Sequence, residues 1–164
     1  MKTILTWEKG IFSNTFNIYK DGHLIGKIKN NCFSQSADGE LNEVKYIFKT
    51  KGLLKQHTQI LDYQTNSLIG EISYNNWMTK ATLSIQNEEI YWKYENVWNT
   101  KWTIFNSDGI QINYSGSSTR GKIESNTEND LLILIGLFVT NYYWQMAAAI
   151  IIIALVPIWT TVSN

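Results

Sequence analysis

Few side chains in this 164-residue sequence are of the types that do chemistry at fixed spacing. The two histidines, His23 and His57, fall in separate stretches with no metal-spaced partners, so neither reads as a ligand. Cys32 is the single cysteine; it can form no internal disulfide and reads as a small core residue in a chain compatible with a reducing compartment. The acids are scattered, and Glu88-Glu89 sits at a turn, where solvated carboxylates are common. No nucleophile elbow, phosphate loop or paired-carboxylate motif is present. The expectation is a protein that is not an enzyme and takes no metal or cofactor.

Two sets of residues suit binding rather than catalysis. Lys45, Lys49, Lys51 and Lys55 cluster across one hairpin. Such a patch attracts anionic lipid headgroups at ~1 kcal/mol per charge near the surface. The commoner reading of such a cluster is a solvated face whose lysines discourage edge pairing. The second set is Tyr142, Tyr143 and Trp144, because Tyr and Trp favour the water–lipid boundary. Of the other tryptophans, Trp92 and Trp102 are expected in the core, and Trp98, in the loop Asn96-Val97-Trp98-Asn99, at a rim or interface. Charge is balanced at 14 basic and 14 acidic residues, which argues against nucleic acid as a partner.

The lysines lie in a region of strands. Residues 1–126 alternate apolar and polar with period two, and no helical period competes. Asp21-Gly22, Asp38-Gly39 and Asp108-Gly109 are strong hairpin signals. Lys51-Gly52, Thr65-Asn66-Ser67, Asn75-Asn76 and Asn87-Glu88 are weaker ones. Cutting there predicts twelve strands near 2–8, 15–20, 23–29, 32–37, 42–50, 54–64, 67–74, 79–86, 89–96, 100–106, 110–117 and 119–125. Leu24, Gly26 and Ile28 are expected on one face, and Ile25, Lys27 and Lys29 on the other. Leu24-Ile25-Gly26-Lys27-Ile28 returns 44 residues later as Leu68-Ile69-Gly70-Glu71-Ile72. The echo suggests matching positions in two half-barrels, with Gly121-Lys122-Ile123 as a truncated third copy.

The aromatic set lies in a different kind of segment. Leu131–Trp159 carries no charge; the last charged residue is Asp130. As one helix its 29 residues extend roughly 44 Å at ~1.5 Å per residue. Ser125 and Glu128 have capping-box spacing, with Asn126, Thr127 and Asn129 as alternative caps. Pro157 is expected to limit the helix near its end. A helix apolar on every side needs enclosure on every side, by lipid or by protein. Twelve antiparallel strands with one dry face gain by closing, since closure removes their edges. The predicted fold is therefore mainly β: one domain, 1–164, in which a closed antiparallel barrel of about 12 strands (1–126) surrounds a C-terminal hydrophobic central helix (127–159).

The same order of elements resembles the tubby C-terminal-like superfamily, which includes the phospholipid scramblases and the LURP-one-related proteins. The resemblance runs through Tyr19-Lys20-Asp21-Gly22-His23-Leu24-Ile25-Gly26-Lys27-Ile28, Ile104-Phe105-Asn106-Ser107-Asp108-Gly109 and the helix opening Asn129-Asp130-Leu131-Leu132-Ile133-Leu134. It covers nearly the whole chain as a pattern, in a minimal version, and no binding residue carries over. It implies a non-catalytic, membrane-associated domain that binds lipid or acts in lipid movement.

The helix is longer than a barrel needs. Leu131–Val139 is expected to plug the barrel, leaving Met146–Trp159 to meet lipid. Two alternatives stand beside this: a tail-anchor span centred on 135–155, or a helix wholly buried in protein. The expected partner is anionic membrane lipid, with a second copy of the chain docked through the apolar helix as the alternative. Met1–Lys9 contains no apolar run of useful length, so no signal peptide is expected. That places the barrel on the cytoplasmic side of a membrane; the alternative is a soluble cytoplasmic protein.

Overall fold

The computed structural model describes residues 2–31, 36–52 and 56–162, with side chains to 151. Its strands are β1 (Thr3–Lys9), β2 (Thr15–Lys20), β3 (His23–Asn31), β4 (Ser36–Leu41), β5 (Val44–Lys51), β6 (His57–Asp62), β7 (Leu68–Tyr74), β8 (Lys80–Ile85), β9 (Glu88–Tyr94), β10 (Lys101–Phe105), β11 (Gln111–Gly116) and β12 (Arg120–Ser125). One helix, α1 (Asp130–Val162), follows. Each strand pairs antiparallel with its sequence neighbours, and β1 pairs with β12, so the sheet closes into a twelve-stranded barrel. Closure and strand count are as the alternating pattern predicts.

Alternation sends one set of side chains inward. Leu5 and Trp7 on β1, Phe16 and Ile18 on β2, and Ile112 and Tyr114 on β11 are all buried. The two-residue turns Asp21-Gly22, Asn42-Glu43 and Gln86-Asn87 have left-handed φ at both positions, the geometry that matches strand twist in tight hairpins. Two turn expectations are corrected. The turn placed at Asn87-Glu88 falls one residue earlier. Asp38-Gly39 is no turn; both residues lie inside β4, which runs 36–41 instead of 32–37, and the chain reverses at Asn42-Glu43. Gly39 is there for space: a Cβ on it would lie 2.9 Å from the Phe48 ring and 3.3 Å from Leu134 of the helix.

The 44-residue echo is structural. Adding 44 carries β4 onto β8 and lands β2, β3 and β5 within about two residues of β6, β7 and β9. The register of β2 with β3 slips so that Ile18 faces Gly26 and Tyr19 faces Leu24, leaving Ile25 as a bulge. The register of β6 with β7 slips in the same way at Ile69. Each bulge reverses side-chain parity. Leu24 is therefore 59% exposed while Ile28 is buried, which corrects the expectation that they share a face. In both copies the glycine is pressed on the next strand; a Cβ would lie 2.4 Å from the Glu40 carbonyl oxygen at Gly26, and 2.6 Å from that of Ser84 at Gly70. The repeat spans eight of the twelve strands rather than two halves, and at Gly121 β12 keeps an unbroken register with both neighbours.

Strand direction alternates, so the barrel has two distinct ends. Loops after odd-numbered strands crowd one end and the tight turns the other. α1 starts at the turn end, where Asn129 Oδ1 caps the Leu132 N–H at 3.2 Å. The expected partner in a capping box, Ser125, instead closes a local turn with Thr127. Asn42 Nδ2 donates to Asp130 at 2.9 Å, tying the helix start to the β4–β5 turn. Residues Leu131 to Asn141, and Tyr143, are buried along the barrel axis; Ala147 to Ile151 are exposed beyond the loop end. α1 continues through Pro157 to Val162, past the expected stop. A proline removes one helical hydrogen bond without cancelling those on either side of it.

Candidate functional site

α1 is held at mid-barrel by Gly136. Its carbonyl oxygen accepts Trp92 Nε1–H at 3.3 Å, Trp102 Nε1–H at 3.1 Å and the Thr140 hydroxyl at 2.8 Å. Tyr114 reaches the same turn, its hydroxyl lying 3.1 Å from the carbonyl oxygens of both Leu132 and Ile133. Burial pushes the Tyr114 hydroxyl well above the usual tyrosine range, so it remains a donor. Trp92 and Trp102 thus pair their only polar atom with the helix backbone, whereas the indole N–H of Trp7, equally buried on β1, has no partner.

The predicted aromatic set lies where α1 leaves the barrel. Tyr143 is buried, its hydroxyl donating to the Lys80 carbonyl at the start of β8. Tyr142 is half-buried, donates to Gln56 and stacks on Tyr74 at 3.9 Å between centroids. Trp144 packs on Trp7, Phe16 and Trp102 at 6.1–6.4 Å. These rings stopper the mouth by gripping its wall. Beside them a cleft of about 230 Å³ is lined by Asn30, Asn31, Thr50, Gln56, Met146 and Ala149, among others.

The lysine cluster is divided. Lys49 and Lys51 stand on the outer face of β5 near the loop end. Lys45 stands at the turn end of the same strand, 4.0 Å from Glu40 and over the Tyr63 ring. Lys55 lies outside the described residues, as does Cys32. His23 and His57 are at opposite ends of the barrel. Among the described residues no group of three His, Cys, Asp or Glu side chains is arranged to hold a metal ion.

Neutral overall, the barrel is polarised from end to end. At the loop end, in loops or terminal strand positions, stand Lys9, Lys51, Lys80, Lys101 and Arg120 against Glu95. At the turn end stand Asp21, Glu43, Asp62, Glu88, Asp108, Glu128 and Asp130 against Lys2 and Lys20. Burial lowers the pKa of Lys9, which lies 5.5 Å from the Phe16 ring centre. The loop end also carries exposed apolar side chains: Ile11, Phe12, Trp77, Val97 and Trp98. Trp98 is at a rim, and Trp92 and Trp102 in the core, as expected. The others went unread, although Asn75-Asn76-Trp77-Met78-Thr79-Lys80 and Asn96-Val97-Trp98-Asn99-Thr100-Lys101 share an Asn-x-Trp-x-Thr-Lys pattern that signals them.

In comparisons with known protein families, curated proteins and solved structures, this chain matches none.

Proposed function

We propose that this barrel works at a membrane, as a non-catalytic lipid-facing domain anchored by the emergent half of α1. One observation carries the reading: a single continuous helix is buried inside the barrel through Tyr143 and then leaves it, apolar and uncharged, at Ala147. Residues 147–162 extend about 24 Å at about 1.5 Å per residue, against a hydrocarbon core of about 30 Å. Within the segment of span-like length and composition among the described residues, Asp130–Ile151, the apolar 18-residue window is 67% buried in the barrel, so the part offered to lipid begins further on. This favours the plug-and-anchor arrangement over a span centred on 135–155. Binding or moving lipid, and kinship with the tubby-like superfamily, are part of the proposal and are supported by the strand count and the order of elements. A cytoplasmic barrel fits the basic end from which α1 emerges, because anionic lipid is concentrated in the cytoplasmic leaflet.

Fractionation of cells expressing the full chain, followed by an alkaline carbonate wash, tests it. Retention in the pellet is expected. A clean soluble fraction with a sedimentation mass of twice the chain defeats it in favour of a homodimer.

A further inference from the structure

Among the described residues the five most exposed large apolar side chains are Phe12 at 98%, Val97 at 90%, Trp77 at 83%, Trp98 at 79% and Ile11 at 78%; no other described one exceeds 59%. They sit on three loops, 10–14, 75–79 and 95–100, all at the end from which α1 emerges. An apolar cluster of this kind, rimmed by polar residues, marks a surface built to be covered.

Two of these loops are rigid copies of one another. Asn75 Oδ1 accepts the N–H groups of Thr79 and Lys80 at 2.9 and 3.0 Å, and its Nδ2 donates to Thr79 Oγ1 at 3.0 Å. Asn96 does the same for Thr100 and Lys101, at 3.0, 3.1 and 2.8 Å. Met78 and Asn99, at equivalent positions, both have φ of 54°. Each asparagine thus cross-braces its loop and leaves the tryptophan two residues on in solvent. Each loop ends on a lysine, Lys80 or Lys101, that starts the next strand. Among the described residues none of Lys51, Lys80, Lys101 and Arg120 forms an ion pair. The loop end therefore offers apolar tips above a collar of net positive charge, in which Glu8 lies across from Arg120 and Glu95 pairs with Lys93, with an apolar helix leaving through its middle.

We propose that the loop end is a membrane-docking face: Phe12, Trp77 and Trp98 enter the interfacial layer of an anionic bilayer while the basic collar contacts its phosphates. Charge complementarity and continuity with the emergent helix select a bilayer as the occupant. Indole is the side chain that partitions to this boundary. The acidic turn end is held away from the same surface by its sign. The barrel then stands upright on the membrane instead of swinging from a tether. This rests on the membrane reading above and adds the face, the loops and the lipid charge.

The test uses the full chain with Cys32→Ala, carrying one environment-sensitive fluorophore at Phe12→Cys, Trp77→Cys or Trp98→Cys, or at Asn66→Cys or Ser107→Cys on the turn end. Each protein is reconstituted into phosphatidylcholine vesicles with and without 30% phosphatidylserine, and flotation is measured alongside emission. Labels at 12, 77 and 98 are expected to shift to the blue and to be quenched by headgroup-proximal quencher lipids, with labels at 66 and 107 unchanged. The shift should be larger with phosphatidylserine and shrink as salt rises. The double variant Trp77→Ser/Trp98→Ser, folded by circular dichroism and labelled at Phe12→Cys, should show rim contact weakened about tenfold, read as the quenching of that label. Flotation with rim labels left in water overturns the docking face and leaves the membrane reading intact. Absence of flotation overturns both. Blue-shifted rim labels without vesicles, at twice the chain mass, assign the face to a second copy and overturn the proposal.

Discussion

Gly136→Ala tests the seat of the central helix. A Cβ at this position would lie 2.1 Å from Tyr114 Cζ and 2.3 Å from its hydroxyl oxygen. The ring cannot simply step aside, because it stacks on Trp102 at 5.5 Å with planes 8° apart and its hydroxyl is held by two helix carbonyls. Overpacking a filled core costs about 1–3 kcal/mol. Displacing the indole and phenol donors leaves buried polar groups short of partners, at about 1–3 kcal/mol. Alanine regains about 1 kcal/mol over glycine in a helix. The net loss is about 1–5 kcal/mol, or about 2–20 °C in Tm for a chain of this size. The assay is thermal unfolding in mild detergent, followed by tryptophan fluorescence. Tyr114→Leu is destabilising alone, but combined with Gly136→Ala it should lose less than the two single losses together, because the methyl then has room. An unchanged or raised Tm for Gly136→Ala refutes the seat, since that is what alanine does in a helix with no wall against it.

Other changes have definite expected outcomes. Leu134→Asp buries a carboxylate beside Gly39 with no partner at full burial, and should leave the protein unfolded or insoluble; a folded, soluble product would mean that the helix is not enclosed. Gly26→Ala and Gly70→Ala each press a methyl onto a neighbouring strand's carbonyl, so both should destabilise by a similar amount, about 1–3 kcal/mol, measured by urea unfolding. Bonds from Lys122 and Lys2 hold the Glu124 carboxyl at about 2, below its ordinary 4.5. Its stabilisation is complete above that ordinary value and is lost as pH falls toward 2, so Glu124→Gln should flatten the acid limb of a Tm–pH curve over that window, and salt should have the same effect.

The barrel was legible because its signals are local and repeated. Period-two alternation and tight-turn residues set strand number and direction, and sequential strands then had one way to close. What misled were residues whose role is set by distant neighbours. Asp38-Gly39 has the residues of a hairpin turn, but Gly39 makes room for Phe48 and Leu134, and only the assembled barrel reveals that contact. Leu24 follows the parity of its strand until the bulge at Ile25 reverses it. The polarity of the two ends is equally invisible along the chain. Lys9, Lys51, Lys80, Lys101 and Arg120 are spread over more than a hundred residues, and the acids flanking the helix start, Glu128 and Asp130, lie at the far end from its exit. Tyr142, Tyr143 and Trp144, read in the sequence as an interface belt, lie where α1 leaves the barrel, and the hydroxyls of both tyrosines are engaged with the wall. Of the side chains offered outward, Trp98 is legible at a rim, while Trp77 lies in a segment that reads as a plain turn and Ile11 and Phe12 fall between predicted strands.

The central claim is that one helix lives in two environments, protein below Tyr143 and lipid beyond Ala147. Collision accessibility of nitroxide labels at Ala148 and Ile151, in the reconstituted full chain, tests this most directly. The account predicts high accessibility to oxygen and low accessibility to a water-soluble nickel chelate at both positions, the signature of lipid exposure. Strong collision with the nickel chelate would put the segment in water, and low collision with both reagents would bury it against protein. Either result contradicts the account.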